Sequence, residues 1–245
     1  MSNKLNHFME IQRGDDAHIW LMVHSGSRNL GKKVADHYIK LANENVASSD
    51  VYVPKNWELD YLDAKSPEGR AYLGEMNYCL EFAATNRAIM VNTMLNILKE
   101  EIPRTLGDQF YDIHHNYASL EHHYNRDVWI HRKGATSANK GQIGIIPGSQ
   151  GTASYIVEGR GNPNSFMSCS HGSGRLMGRG DAKRRLSLED ERQKLDIQGI
   201  IHDMNSVGAL DEAPGAYKDI EVVMNQQLDL VKPLVRLTPL AVIKG

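Results

Sequence analysis

The sequence of 245 residues holds only two cysteines, Cys79 and Cys169. That is too few for a disulfide framework, so a reducing cytoplasm is the expected setting. No apolar run approaches the ~20 residues needed to cross a bilayer, and the opening MSNKLNHFME lacks the basic-then-apolar layout of a secretory leader. Charge of one sign is also lacking: the net charge is -2 with histidines neutral. Any polyanionic partner must therefore be met by basic groups focused locally. Repeats, low-complexity stretches and long Pro/Gly/Ser linkers are missing as well, and residues 1–245 read as a single domain. The remaining composition is that of an ordinary globular chain, long enough to bury a core.

Periodicity places helices and strands in alternating blocks. Ile19 to Val23 is an apolar run of strand length that ends at a Ser-Gly turn. From Gly31, the spacing of Val34, Tyr38, Ile39, Leu41 and Ala42 predicts a helix with those residues on one side. The polar stretch from Ser48 to Gly69, with Pro54 and Pro67, reads as a long surface excursion. A long helix follows, from Gly69 to its stop at Pro103. Between Tyr111 and Ser170 the texture turns to short β-like runs broken by Gly, Pro and Asn, such as Tyr155–Val157 and the run from Val128. A charged helical run spans Asp181 to Gln198, and a short β-rich tail, LVRLTPLAVIKG, closes the chain. The fold class is α+β.

Eleven histidines are many for this length. His7 stands in NHFME, His24 in VHSGSR, His115 in DIHHNY and His171 in SCSHGSGR. Neutral imidazole is the commonest transition-metal ligand, and several converging on one point would build a metal site. None of the spacings is a zincin or zinc-finger pattern, so the ligands would have to meet from distant segments. Taken singly, each is better explained as a hydrogen-bonded core or surface histidine.

Two segments have the chemistry of phosphate binding. HRKGATSANKGQIGIIPGSQGTAS, from His131 to Ser154, mixes cations with glycines and hydroxyls, and HGSGR repeats the mixture beside His171. Glycine lets backbone N–H groups come close to a phosphate, and Arg can grip two oxygens at once. Neither segment is a Walker A loop or a dinucleotide fingerprint. Gly-rich turns with solvated basic residues explain either one alone equally well.

In order along the chain, NHFMEIQ, HSGSR, DIHHNY, RKGATSA, IIPGSQGTASYIV, SCSHGSGR, AYKDI and the terminal VIKG resemble the RtcB-type RNA ligases from about Asn6 to Gly245. The resemblance implies a mixed fold of central β-sheets flanked by helices, without the N-terminal part of the family fold. It implies joining of an RNA 3′-phosphate or 2′,3′-cyclic phosphate to a 5′-hydroxyl, with GTP and Mn2+ as cofactors and cleaved RNA, tRNA halves included, as partner. In that family a histidine takes GMP from GTP and passes it to the RNA 3′-phosphate. An imidazole nitrogen is a competent nucleophile near neutral pH, and metal ions offset the charge on the transferring phosphate.

Carried over by residue, His171 is the guanylylated nucleophile, and His7, His24 and His115 match the manganese-binding histidines. His115 is preferred to His114 because it precedes Asn116 as in the family motif. Asn6 matches a phosphate contact and Glu10 a guanine contact, for a carboxylate can accept from both N1–H and the exocyclic amine. Ser149, Ser154, Tyr217 and Lys244 match the rest of the guanylate pocket. Gly172, Gly174 and Arg175 belong to the nucleophile's loop, and Arg175 and Arg179 are expected to meet phosphate, although Gly178 replaces a usual Ser. His18, His37, His122, His123, His131 and His202 receive no role.

The front of the chain departs from the family pattern. There a D-x-G-C-G motif supplies an Asp and a bridging Cys to two manganese ions, and this sequence has no such motif. Cys79 and Cys169 stand in other contexts. Three neutral imidazoles offer no anionic compensation for two close divalent ions, so weak binding of one metal is expected, or a site completed by a separately encoded N-terminal fragment. The face that such a fragment would cover should be apolar and exposed. Three readings remain open: a ligase or its catalytic half, a protein that holds guanine nucleotide or RNA ends without joining them, and a metal-dependent phosphoesterase. Glu10, Tyr217 and Lys244 favour the first over the third, because a hydrolase has no need of a guanine pocket.

Overall fold

A computed structural model describes residues 7–47, 52–57, 59–103, 107 and 109–244. In chain order, strands β1 (Phe8–Gly14) and β2 (Ile19–His24) precede helices α1 (Asn29–Ala47) and α2 (Pro67–Glu101). Six strands follow: β3 (Asn116–His123), β4 (Arg126–Lys133), β5 (Ala135–Ser137), β6 (Ile143–Ile146), β7 (Ser154–Gly159) and β8 (Ser168–Ser170). The last third holds α3 (Arg179–Arg185), α4 (Leu188–Ile197), β9 (Ile201–His202), α5 (Ile220–Asn225) and β10 (Val231–Lys244). The architecture is α+β, as expected. Two compact units divide the chain, one of Ser25–Met90 and one of Met1–His24 with Val91–Gly245.

In the smaller unit, Tyr38 and Ala42 of α1 and Met76, Cys79 and Ala83 of α2 are buried at helical spacing. Tyr38 and Tyr72 meet with ring centroids 5.2 Å apart. Ile39, expected on the same side, is 58 % exposed: one residue past Tyr38 turns about 100° out of the stripe. The long helix begins at Pro67, whose missing N–H costs nothing in a first turn, and the Ser66 hydroxyl caps it by accepting from the Gly69 amide at 2.9 Å.

The larger unit is built on a sheet with strand order β2-β1-β10-β7-β6, with β9 pairing parallel to β10. The β-rich C-terminal tail is a central strand of this sheet. β10 is 14 residues long and lies between β1 and β7, antiparallel to both. Its two prolines cannot donate to a ladder, and a central strand tolerates them only at irregularities. Pro233 sits at the register shift against β7, and Pro239 faces the shift between Ile11 and Gln12 of β1.

Ile146, Tyr155, Val157 and Val231 of the sheet pack with Ile220 and Met224 of α5. A second cluster joins Leu195 and Ile200 to Met204, Leu210, Ala213 and Val242 of β10. It clamps a 3-10 stretch, Val207–Glu212, from both ends. The charged run read as one helix is two, because Ser187 takes an extended conformation and its side chain caps α4 through the Asp190 amide. Leu210→Ala, at a site 1 % exposed, is predicted to cost about 3 kcal/mol in urea unfolding, against under about 0.5 kcal/mol for Ile197→Ala at 78 % exposure. Equal costs would show that the second cluster does not hold this stretch.

Candidate functional site

Strand alternation puts Phe8, Glu10 and Gln12 on one buried face of β1. Across the ladder, Phe8 has Lys244 opposite on one side and His24 on the other. The Lys244 Nζ lies 4.7 Å from the centroid of the Phe8 ring, which stacks on His24 at 5.1 Å. Glu10 accepts a hydrogen bond from the Gln12 amide, which also donates to Ser154 Oγ at 3.2 Å. Burial raises the Glu10 carboxyl to about 7, against the opposing pull of Lys244 and the Gln12 bond. Burial likewise lowers Lys244, offset by Glu212, Glu10 and Asp203.

The rings continue from His24 to His115 at 5.0 Å and from His115 to His171 at 5.3 Å, the last pair stacked at 21°. Residues far apart in sequence are held there by short pairings. His115 precedes β3, and Thr136 of β5 anchors its neighbour by donating to the His114 carbonyl at 3.0 Å. His171 follows β8, which pairs with β5 and is fixed by the Ser170 amide donating to Gln227 Oε1 at 3.0 Å. His115, not His114, makes the ring contacts with His24 and His171. Burial first, then the charges of His115, Lys244, His171 and His7, hold His24 down at about 3, so its ring is neutral at any ordinary pH. His171 Nδ1 is buried with no hydrogen-bond partner among the described residues.

Beside the histidines, Glu212 forms a charged hub. Tyr217 donates to its Oε2, Arg175 Nη1 and Arg179 Nη2 approach its Oε1 at 3.4 Å and 3.3 Å, and Lys244 Nζ lies 3.9 Å from its Oε2. Arg175 also donates to the Tyr217 hydroxyl at 3.2 Å and to the Asp211 and Met177 carbonyls. Burial and the Glu212 charge raise the Tyr217 phenol above its usual range, leaving it a hydrogen-bond donor. Glu191, 1 % exposed, steadies the segment that carries Glu212 and Tyr217 by accepting from the Gly215 amide at 2.8 Å.

The Gly-rich loops behave differently from their composition. In the Pro147–Ser154 segment the hydroxyls serve the loop's own backbone: Ser149 N donates to Thr152 Oγ1 at 2.7 Å and Gly148 N to Ser154 Oγ at 3.1 Å. Next to His171, Ser173 N donates to the Pro147 carbonyl at 3.0 Å and Gly172 N to Ser170 Oγ at 3.4 Å. Those amides are already engaged, so they are not free to form the anion-binding backbone nest that the composition suggests. Gly174, at φ +71°, makes the turn out of the loop that carries His171. Asn6 lies outside the described residues.

The donor chemistry suits a divalent cation, for His24 is held neutral and the rings of His24, His115 and His171 are gathered together. Their convergence is incomplete: among the described residues, no three His, Cys, Asp or Glu side chains are grouped so as to hold a metal. No helix among those residues is long and apolar enough to cross a membrane.

Residues 5–245 match the family model described as tRNA-splicing ligase RtcB. The chain is similar to the RNA-splicing ligase RtcB of Escherichia coli K12, 37% identical over 246 residues, covering 98% of this chain and 59% of that protein. It is also similar to the RNA-splicing ligase RtcB of Mycobacterium tuberculosis H37Rv, at 32% identity over 98% of this chain and 63% of that protein. The tRNA-splicing ligase RtcB of Nanoarchaeum equitans is 33% identical over 98% of this chain and 58% of its own length. The chain thus spans about three fifths of the relatives it matches.

Two residues of the site escaped sequence reasoning. Gln12 was within reach, since alternation from Glu10 puts it on the same strand face. Glu212 was not, because nothing periodic links it to Arg175 or Lys244. Glu212→Ala, which strands partly buried cations, is predicted to lower stability by about 3 kcal/mol, well above the ~1 kcal/mol ceiling for Arg179→Ala at a half-exposed partner. Comparable losses in urea unfolding would refute the hub.

Glu10 generates a pH test. Its folded pKa, about 7, stands above the unfolded 4.5, so the folded state holds the proton more tightly. The stability contributed by Glu10 is then fully present below pH 4.5, falls as pH rises to about 7 and is lost above. Glu10→Gln lacks that slope, and between pH 5 and pH 8 its stability relative to wild type should improve by up to about 3 kcal/mol. An unchanged difference would mean that Glu10 titrates normally.

Proposed function

The chain belongs to the RtcB family, and from that premise we propose that it is the nucleotidyl-transfer portion of a GTP- and Mn2+-dependent RNA ligase with His171 as the carrier of GMP. The observation that carries the proposal is His171 itself. A ring with a buried nitrogen that has no partner among the described residues stacks on His115, which in turn meets His24, within a few residues of Arg175 and near the group of Glu10, Tyr217 and Lys244.

The chemistry proceeds in three displacements. A nitrogen lone pair of His171 bonds to the α-phosphorus of GTP as the bond to the bridging oxygen breaks and pyrophosphate leaves. An oxygen of an RNA 3′-phosphate then bonds to that phosphorus, and the N–P electron pair returns to the imidazole. A 5′-hydroxyl finally bonds to the activated 3′-phosphorus, loses its proton and expels GMP. Glu10, in its ionised form, accepts from guanine N1–H and the exocyclic amine. That form is favoured further by the ligand's donors and by Lys244. Tyr217 donates, and Arg175 and Lys244 bring positive charge to a chain with almost no net charge. His7, His24 and His115 would hold Mn2+, which would offset charge on the phosphates.

One observation favours a second reading, in which the protein holds guanine nucleotide or RNA ends without joining them. That observation is the incomplete convergence of metal donors among the described residues. Incubation with labelled GTP and Mn2+, followed by RNA carrying 3′-phosphate and 5′-hydroxyl ends, separates the two. The ligase reading predicts covalent label on the protein, its loss in His171→Ala, and label discharged by the RNA as joined product appears. Label that persists without joining favours the holding protein, and no label at all rejects nucleotidyl transfer.

A further inference from the structure

The stretch after the nucleophile divides space in two. Gly174–Leu176 runs antiparallel to Ala216–Lys218: Lys218 N donates to the Gly174 carbonyl at 3.0 Å, Leu176 N donates to the Ala216 carbonyl at 2.9 Å, and Arg175 pairs with Tyr217. In such a pair, directly opposed side chains share one face and their neighbours take the other. Arg175 and Tyr217 turn to Glu212. Leu176 and Lys218 turn the opposite way and line a groove of about 760 Å³, a volume in the range of small-ligand sites.

The groove starts at Gly134, His171 and Ser173 and runs along α5 past Val222, Val223 and Gln226 to Leu230. None of Glu10, Ser149, Ser154, Tyr217 or Lys244 lines it. Its His171 end is polar: Asp219 lines it next to Lys218, its carboxylate already accepting from the Glu221 amide at 2.9 Å. The Ser173 hydroxyl, on a residue 3 % exposed, has no hydrogen-bond partner among the described residues, and Lys218 is in no ion pair among them. The far end is aliphatic. His171 is therefore shared by two faces, one carrying the residues proposed for guanylate and one carrying an unassigned groove.

We propose that this groove seats the 3′-terminal nucleotide of the RNA strand, its phosphate toward His171, Ser173 and Lys218 and its ribose and base against Val222, Val223 and Leu230. The assignment rests on the ligase reading, which requires a second substrate to reach the GMP held on His171. A 3′-phosphate brings the anion that suits an ammonium and a free hydroxyl, whereas a 5′-hydroxyl end brings none. Apart from His171 itself, the wall has no aromatic ring on which a base could stack, so little preference among the four bases is expected.

The test uses the full chain and a 5′-fluorescein RNA decamer ending in 3′-phosphate or 3′-hydroxyl, with binding read by anisotropy and GMP uptake read separately. Wild type should favour the 3′-phosphate. Lys218→Ala and Val222→Asp, the latter at a 51 % exposed position, should each weaken its binding about tenfold while GMP uptake stays within about twofold. Equal affinity for the two ends, binding indifferent to both substitutions, or GMP uptake falling in step with RNA binding would overturn the assignment. Wild type that takes up no GMP, yet binds the 3′-phosphate with the expected sensitivity to both substitutions, would sink the ligase reading and still support the groove.

Discussion

The site depends on β10 being a central strand. Pairing with β1 on one edge sets Lys244 opposite Phe8 and Val242 opposite Glu10, and pairing with β7 on the other ties the same strand to the sheet's core. Val242 reaches into the cluster with Leu210 and Ala213, which flank Asp211 and Glu212. One strand thus positions the lysine, the Glu10 carboxylate and, through packing, the carboxylate that pairs with both arginines. A slip of one residue would turn every one of these side chains to the wrong face. The prolines are confined to the places where the register already breaks.

Around that strand, charge is arranged so that each buried group is offset by a neighbour. Glu212 gathers Arg175, Arg179, Tyr217 and Lys244, while Glu10 carries the cost of burial with only Gln12 and Lys244 in opposition, and its pKa rises accordingly. His24 is kept neutral between its neighbours. A chain of net charge -2 in this way gathers three cations around one carboxylate. The pairing of Gly174–Leu176 with Ala216–Lys218 then separates the side of Tyr217 and Glu212 from a groove that is polar at its His171 end and aliphatic beyond.

Local structure was legible wherever it rests on local periodicity. The strand from Ile19, the helices around Tyr38 and Met76 and the strand at Tyr155–Val157 all follow from spacing and turn residues. The break at Ser187 was written as a capping residue inside a charged run but is outweighed there by helix propensity on both sides. The central place of β10 was hidden, because two prolines make the tail resemble an edge, and only its partners reveal the register. The RtcB-like motifs identified the family, and their residues from His24, His115 and His171 to Tyr217 and Lys244 do assemble in space. Glu212 and the hydroxyls of Ser149 and Thr152 carry no periodic mark, so their roles as hub and loop caps appear only in the fold. Lys218 is similar: its face is decided by its pairing opposite Gly174, not by the residues beside it.

The most direct measurement is peptide mapping by mass spectrometry of the chain after incubation with GTP and Mn2+. The expected result is GMP on the peptide that contains His171 and on none that contains His7, His24 or His115. GMP on Lys244, or on one of those three histidines with His171 unmodified, would contradict the placement of the nucleophile.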